Sequence, residues 1–167
     1  INSRLRLIQG PPGTGKTHTA VQLLKALVEM GRGPILATAE SNVAVDNLLE
    51  GLLNNGVGAV RIGRPVKVRE QLRAATLDAQ MELHPDQGEI EFIREETKAM
   101  RAGLHDLKGK EKGMAHRDIS KNMKEIKSIQ KKIIDDTLDR AEIICSTNVD
   151  TGHMLLGSRK FPIVLID

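Results

Sequence analysis

Gly10-Pro11-Pro12-Gly13-Thr14-Gly15-Lys16-Thr17 is the stretch that decides how this chain is read. It satisfies the spacing G-x-x-x-x-G-K-[ST], with the apolar-rich residues 5–8 before it and Ala20, Val21, Leu24, Leu27 and Val28 at helical intervals after it. A strand, a glycine loop and a helix start form the context in which this pattern cradles phosphate. Glycine admits the backbone conformations that turn successive N–H groups inward, and the positive end of the following helix adds to the attraction. Gly10, Pro11, Pro12, Gly13, Thr14, Gly15, Lys16 and Thr17 are therefore expected to bind a nucleoside triphosphate. In that reading Lys16 is also catalytic, reaching the β- and γ-phosphate oxygens as a point charge, while the Thr17 hydroxyl holds magnesium. A chance glycine turn has no reason to combine Lys-Thr with both flanking elements.

Outward from the loop, strands and helices alternate. The helix predicted over 17–30 stops at Gly31 and Gly33, residues 35–38 form a buried strand, and Val45, Leu48, Leu49 and Leu52 mark a second amphipathic helix closed by Asn54-Asn55-Gly56. Further strands are predicted over 57–62, 142–147 and 163–167. That alternation predicts an α/β fold of the P-loop NTPase kind, with a parallel sheet and right-handed crossovers.

Between the strands predicted over 57–62 and 142–147 the composition changes. The spacing predicts an inserted helical subdomain over 66–139, flanked by a P-loop part over 1–65 and a returning part over 140–167. Ile90, Ile93, Thr97, Met100, Leu104 and Leu107 follow steps of three and four, and so do Ile119, Met123, Ile126, Gln130 and Ile133. With Lys108-Gly109-Lys110-Glu111-Lys112-Gly113 as the separator, the two stripes bury each other most simply as an antiparallel hairpin. From position 98 to 132 there are 11 Lys/Arg against 4 Asp/Glu, a net of +7, so the basic character of a chain with net charge +3 sits in this hairpin. It is either a solvated face or a phosphate-contacting one.

The remaining composition mostly excludes. Cys145, the sole cysteine, cannot form an intramolecular disulfide and reads as a small buried residue, which fits a cytoplasmic or nuclear protein. His18, His84, His105, His116 and His153 are scattered without metal-ligand spacing. No apolar run reaches membrane-spanning length, so no membrane partner is expected. Phe92 and Phe161 are the only aromatic residues, too few for a base-stacking platform. Arg61 and Arg64 read as a solvated pair at a strand end. The chain starts at Ile1 without methionine and stops after an apolar run, and is expected to be an excerpt of a longer polypeptide.

An acidic residue at the tip of an apolar strand is the usual second half of a phosphate loop, holding magnesium through its water shell. Asp167, after Ile163-Val164-Leu165-Ile166, is the expected second catalytic and metal residue. Its distance in sequence from Lys16 exceeds what a compact AAA+ module needs, and the insertion accounts for it.

Leu7-Ile8-Gln9 before the loop, Ser41-Asn42-Val43-Ala44-Val45-Asp46, Ile143-Ile144-Cys145-Ser146-Thr147 and Val164-Leu165-Ile166-Asp167 together resemble superfamily 1 helicases. More narrowly they resemble the up-frameshift subgroup, which includes the regulator of nonsense transcripts, senataxin and the immunoglobulin-mu-binding helicase. The resemblance covers nearly the whole chain, and its Ser-Asn-x-Ala-Val-Asp motif is more specific than the phosphate loop. It implies the first of two RecA-like motor domains, using ATP and Mg2+ to move 5′ to 3′ along single-stranded RNA or DNA as a monomeric motor. It also implies that Ser41, Asn42 and Thr147 touch the nucleic-acid backbone, Ser41 and Asn42 being equally suited to cap the second helix. The glutamate that orients water in many such enzymes would follow Asp167, so these 167 residues alone are expected to be inactive. The pattern departs from the family at Glu40, where proline is common, and at Asp150-Thr151-Gly152, where a Gly-Ala-Gly-like stretch is common. Two other readings stand beside it: an AAA+ ATPase with an insertion, and a non-catalytic nucleotide-binding scaffold whose basic hairpin recruits partners.

Overall fold

The computed structural model describes residues 5–63, 69–152 and 155–167. The sheet is built around β1 (Ile35–Ala39), which is buried along its whole length because it has neighbours on both edges. It pairs in parallel with β3 (Ile143–Thr147) on one side and β4 (Ile163–Ile166) on the other, and β2 (Ala59–Arg61) extends the sheet beyond β3, giving the order β2-β3-β1-β4. Cross-strand register aligns Ala39 with Thr147 and Thr38 with Ile166, so the carboxyl ends of these three strands lie at one edge.

Two helices cover the sheet. α1 (Lys16–Glu29) contributes Ala20, Val21 and Leu24 to the core, and α2 (Asn42–Asn54) contributes Val45, Leu48, Leu49 and Leu52, against Ile35, Ala37, Ile143 and Cys145 of the strands. Each fully buried leucine adds about 2 kcal/mol of transfer free energy. The predicted start of α2 is built as an N-cap: Ser41 is extended and its Oγ accepts the Ala44 amide at 3.2 Å. The two helices approach closely at Gly51, where a Cβ would stand 2.7 Å from Val21 Cγ2. Gly51→Ala gains about 0.5–1 kcal/mol of helix propensity but overpacks by about 1–3 kcal/mol. Net destabilisation in urea denaturation is expected, relieved when Val21→Ala is added.

The chain divides into two compact units, one of residues 1–77 with 138–167 and one of residues 78–137. The second consists of the remainder of α3 (Leu77–Glu82), α4 (Gln87–Gly103) and most of α5 (Gly109–Arg140). Its core is Ile90 and Ile93 against Ile126 and Ile133, members of the two predicted stripes. No described helix is long and apolar enough to cross a membrane.

Three expectations about elements are corrected. Residues 5–8 are not a strand, and Leu5 and Leu7 are 71% and 87% exposed. A strand is stabilised by its ladder and by cover on its face, and apolar composition alone supplies neither. The third strand shrinks from residues 57–62 to Ala59–Arg61, since Val57 closes the end of α2 by donating its amide to the Leu52 carbonyl. The hairpin turns earlier than predicted: α4 ends at Gly103 and α5 is already helical at Gly109, because lysine and glutamate are good helix formers and single glycines inside a long helix are tolerated. Arg64 and His153 lie outside the described residues.

Candidate nucleotide and nucleic-acid site

The phosphate loop has the backbone its glycines predict. Gly13 and Gly15 sit at φ 78° and 85°, and Gly15 is the residue that launches α1. An L-residue at either position is strained by about 1–2 kcal/mol. Gly10 leaves room for a loop hydrogen bond: a Cβ there would lie 2.8 Å from Thr14 Oγ1, which donates to the Pro11 carbonyl at 2.8 Å, and the threonine would have to turn aside. Lys16 Nζ donates to the carbonyls of Gly10 and Pro11, both at 3.0 Å, so the ammonium is already folded back over the loop.

Across 150 positions of sequence, Thr17 Oγ1 donates to Asp167 Oδ2 at 2.9 Å. The Asp167 amide in turn donates to the Thr38 carbonyl at 2.8 Å, which fixes the carboxylate at the end of β4. A hydroxyl and a carboxylate so placed are hard oxygen ligands of the kind magnesium takes. The donor set therefore fits a Mg2+-nucleotide.

The other predicted site residues sit at the same carboxyl edge of the sheet. Ser41 is exposed at the start of α2, with its hydroxyl oxygen engaged in the cap. Thr147 is only 6% exposed and its hydroxyl donates to Asp150 Oδ2 at 2.8 Å. Asn42 is half-buried, and its Oδ1 accepts from Arg61 Nη2 at 2.8 Å.

Arg61 is the residue that sequence reasoning placed wrongly. Its side chain is 1% exposed, and Nε donates to Asp46 Oδ1 at 2.8 Å, Asp46 being 3% exposed. A charge at a strand end reads as solvated, but α2 lies over this strand end and brings Asp46 down onto it. The signal was available in α2: Asp46 falls within the apolar face of Val45, Leu48 and Leu49, and a carboxylate held there requires a cation. Cys145 pairs with Arg61 across the sheet, and burial pushes its thiol up to about 12 against a smaller opposing pull from Arg61. It is an inert core residue rather than a nucleophile.

The histidines need one amendment. His84, Asp86 and Asp136 come together although nothing in their spacing suggested it, with His84 Nε2 3.8 Å from Asp136 Oδ2 and the His84 side chain 7% exposed. Lys132 Nζ already donates to Asp86 Oδ2 at 2.8 Å, and His84 Nδ1 accepts the Asp86 amide at 3.2 Å. With an ammonium on one carboxylate and the ring's Nδ1 lone pair engaged, which leaves a neutral ring's proton on Nε2, this cluster is an internal ion-pair and hydrogen-bond arrangement.

With this geometry in place, comparison with known proteins is decisive. A protein-family model described as an AAA domain matches residues 1–167. The chain belongs to this family. An uncharacterized ATP-dependent helicase from Methanocaldococcus jannaschii is 31% identical over the whole chain, which spans 31% of that protein. DNA polymerase alpha-associated DNA helicase A of Schizosaccharomyces pombe is 30% identical over 98% of the chain and 25% of that protein. A regulator of nonsense transcripts 1 homolog from Neurospora crassa is 32% identical over the whole chain and 14% of that protein. The chain spans a third or less of the length of these relatives.

Proposed function

We propose that this chain is the nucleotide-binding part of an ATP-dependent motor on single-stranded RNA or DNA. The observation that carries the reading is the Thr17–Asp167 contact at the carboxyl edge of a parallel sheet whose neighbouring strand ends carry Ser41, Asn42 and Thr147. Ligands of open α/β sheets bind outside that edge. The loop from Gly10 to Gly15 wraps the phosphates with the backbone N–H groups of Gly13, Thr14 and Gly15, since Pro11 and Pro12 have none. Lys16 moves from the Gly10 and Pro11 carbonyls to the phosphate oxygens, and Thr17 with Asp167 holds Mg2+. Bound Mg2+ supplies positive charge where the phosphoryl group develops negative charge.

Ser41, Asn42 and Thr147 then contact the sugar-phosphate backbone, which suits movement without sequence preference. A second RecA-like domain elsewhere in the polypeptide and an inserted helical subdomain over residues 66–139 complete the proposed motor. The test is ATP turnover by the full-length protein with and without an oligouridylate or oligodeoxythymidylate strand. Stimulation by single strands is expected; turnover indifferent to both strands would instead favour an ATPase without a nucleic-acid track, and absence of turnover a non-catalytic nucleotide-binding scaffold.

A further inference from the structure

The buried guanidinium of Arg61 has no part in the proposed nucleotide site, yet it touches the motif proposed to face the nucleic acid. We propose that Arg61 is a positioning residue for strand binding: it holds the Asn42 amide so that its NH2 group faces outward to a backbone phosphate.

The argument begins with hydrogen-bond chemistry. A guanidinium carries donors and no acceptor, so the Asn42 atom 2.8 Å from Arg61 Nη2 must be the carbonyl oxygen, and the amide cannot be flipped. The NH2 group is then not engaged by the guanidinium, on a side chain that remains half-exposed at the first residue of α2. Two donors presented there suit a phosphate oxygen; the reversed amide would present an acceptor and repel it.

Arg61 is itself held in place. Asp46, one helical turn beyond Asn42, takes Nε and neutralises the charge, so both partners lie on the same inward face of α2. The remaining nitrogen, Nη1, lies beside Gly63: a Cβ there would be 3.4 Å from Nη1 and 2.9 Å from Asp150 Oδ2, the carboxylate that receives the Thr147 hydroxyl. Gly63 has φ 124°, a conformation that favours glycine, and its missing side chain leaves room for the loop after β3 beside the guanidinium. One buried cation thus borders both segments proposed to meet the strand, the Ser41-Asn42 turn and the Thr147–Asp150 turn.

This proposal rests on the reading that Asn42 contacts nucleic acid, and its test separates the two. In the full-length protein, Arg61→Lys keeps a charge for Asp46 but lacks the fork that reaches Asn42. A labelled oligouridylate is expected to bind about five- to tenfold more weakly, the worth of one oriented hydrogen bond, while a fluorescent ATP analogue titrates unchanged. Asn42→Asp retains an acceptor for Arg61 but sets a carboxylate against the phosphate, and is expected to weaken strand binding further. Combining Arg61→Lys with Asn42→Ala should lose no more than Asn42→Ala alone. Should Arg61→Lys fail to fold, Arg61→Met with Asp46→Leu removes the charge pair together and is expected to show the same strand-specific loss. Unchanged affinity in Asn42→Asp overturns the contact itself. A loss in Asn42→Asp with none in the Arg61 variants, or additive losses in the double variant, overturns the positioning role alone.

Discussion

Lys16→Ala is expected to weaken ATP binding by about ten- to a hundredfold and to lower turnover of the full-length protein by at least about a hundredfold. The first figure follows from the worth of a charge-assisted hydrogen bond to phosphate, roughly 1.5–3 kcal/mol. The second follows from removal of a preorganised charge at the transferring group, which costs more in the transition state than in the ground state. Thermal unfolding should hardly move, because among the described residues Lys16 bonds to the carbonyls of its own loop, Gly10 and Pro11. That combination separates a phosphate ligand from a structural lysine. Unchanged titration of a fluorescent ATP analogue would show that the loop is not the nucleotide site.

Asp46→Ala should have the largest effect on stability. It strands the guanidinium of Arg61, which is 1% exposed, inside the fold without the carboxylate bonded to it. Breaking a buried pair in this way costs about 3–5 kcal/mol, whereas replacing both partners with apolar groups of similar volume is near neutral. Urea denaturation of Asp46→Ala and of the paired Asp46→Leu, Arg61→Met variant therefore distinguishes a charge that needs its partner from one that adds net stability. The desolvation cost explains the contrast: the attraction between the two groups offsets it only while both are present.

Most of the frame of this molecule was legible because it depends on local rules. Positive φ at Gly13 and Gly15, the Ser41 cap and the apolar spacing of α1 and α2 follow from backbone sterics and periodicity and are found where those rules put them, while in the hairpin Leu104 and Leu107 fall beyond the end of α4 and Met123 is exposed. The pairing of Thr17 with Asp167 was readable as chemistry, since both are magnesium-type oxygens, although the contact itself is non-local.

What escaped depends on partners distant in sequence. Residues 5–8 have strand composition without a place in the sheet, and Arg61 looked solvated because its partners arrive from a helix that begins 19 positions earlier. The hairpin turn moved because helix propensity in the lysine- and glutamate-rich stretch outweighs one interior glycine. The approach of His84 to Asp136 joins the turn before α4 to the end of α5, a meeting that no spacing rule describes.

The 150 positions separating Thr17 from Asp167 also bear on how the chain folds. Contacts within α4 and α5 join residues a few dozen positions apart, while β1 finds its neighbours β3 and β4 only after more than a hundred residues. Local contacts close quickly and distant ones slowly, since the ends of a long loop must first be brought together. The helical segment should therefore gain order early, and competence to hold Mg2+-nucleotide should appear last, when β4 docks. Nucleotide added during refolding would then act on the final step, drawing the docked state forward by mass action while leaving the early helical phase unchanged.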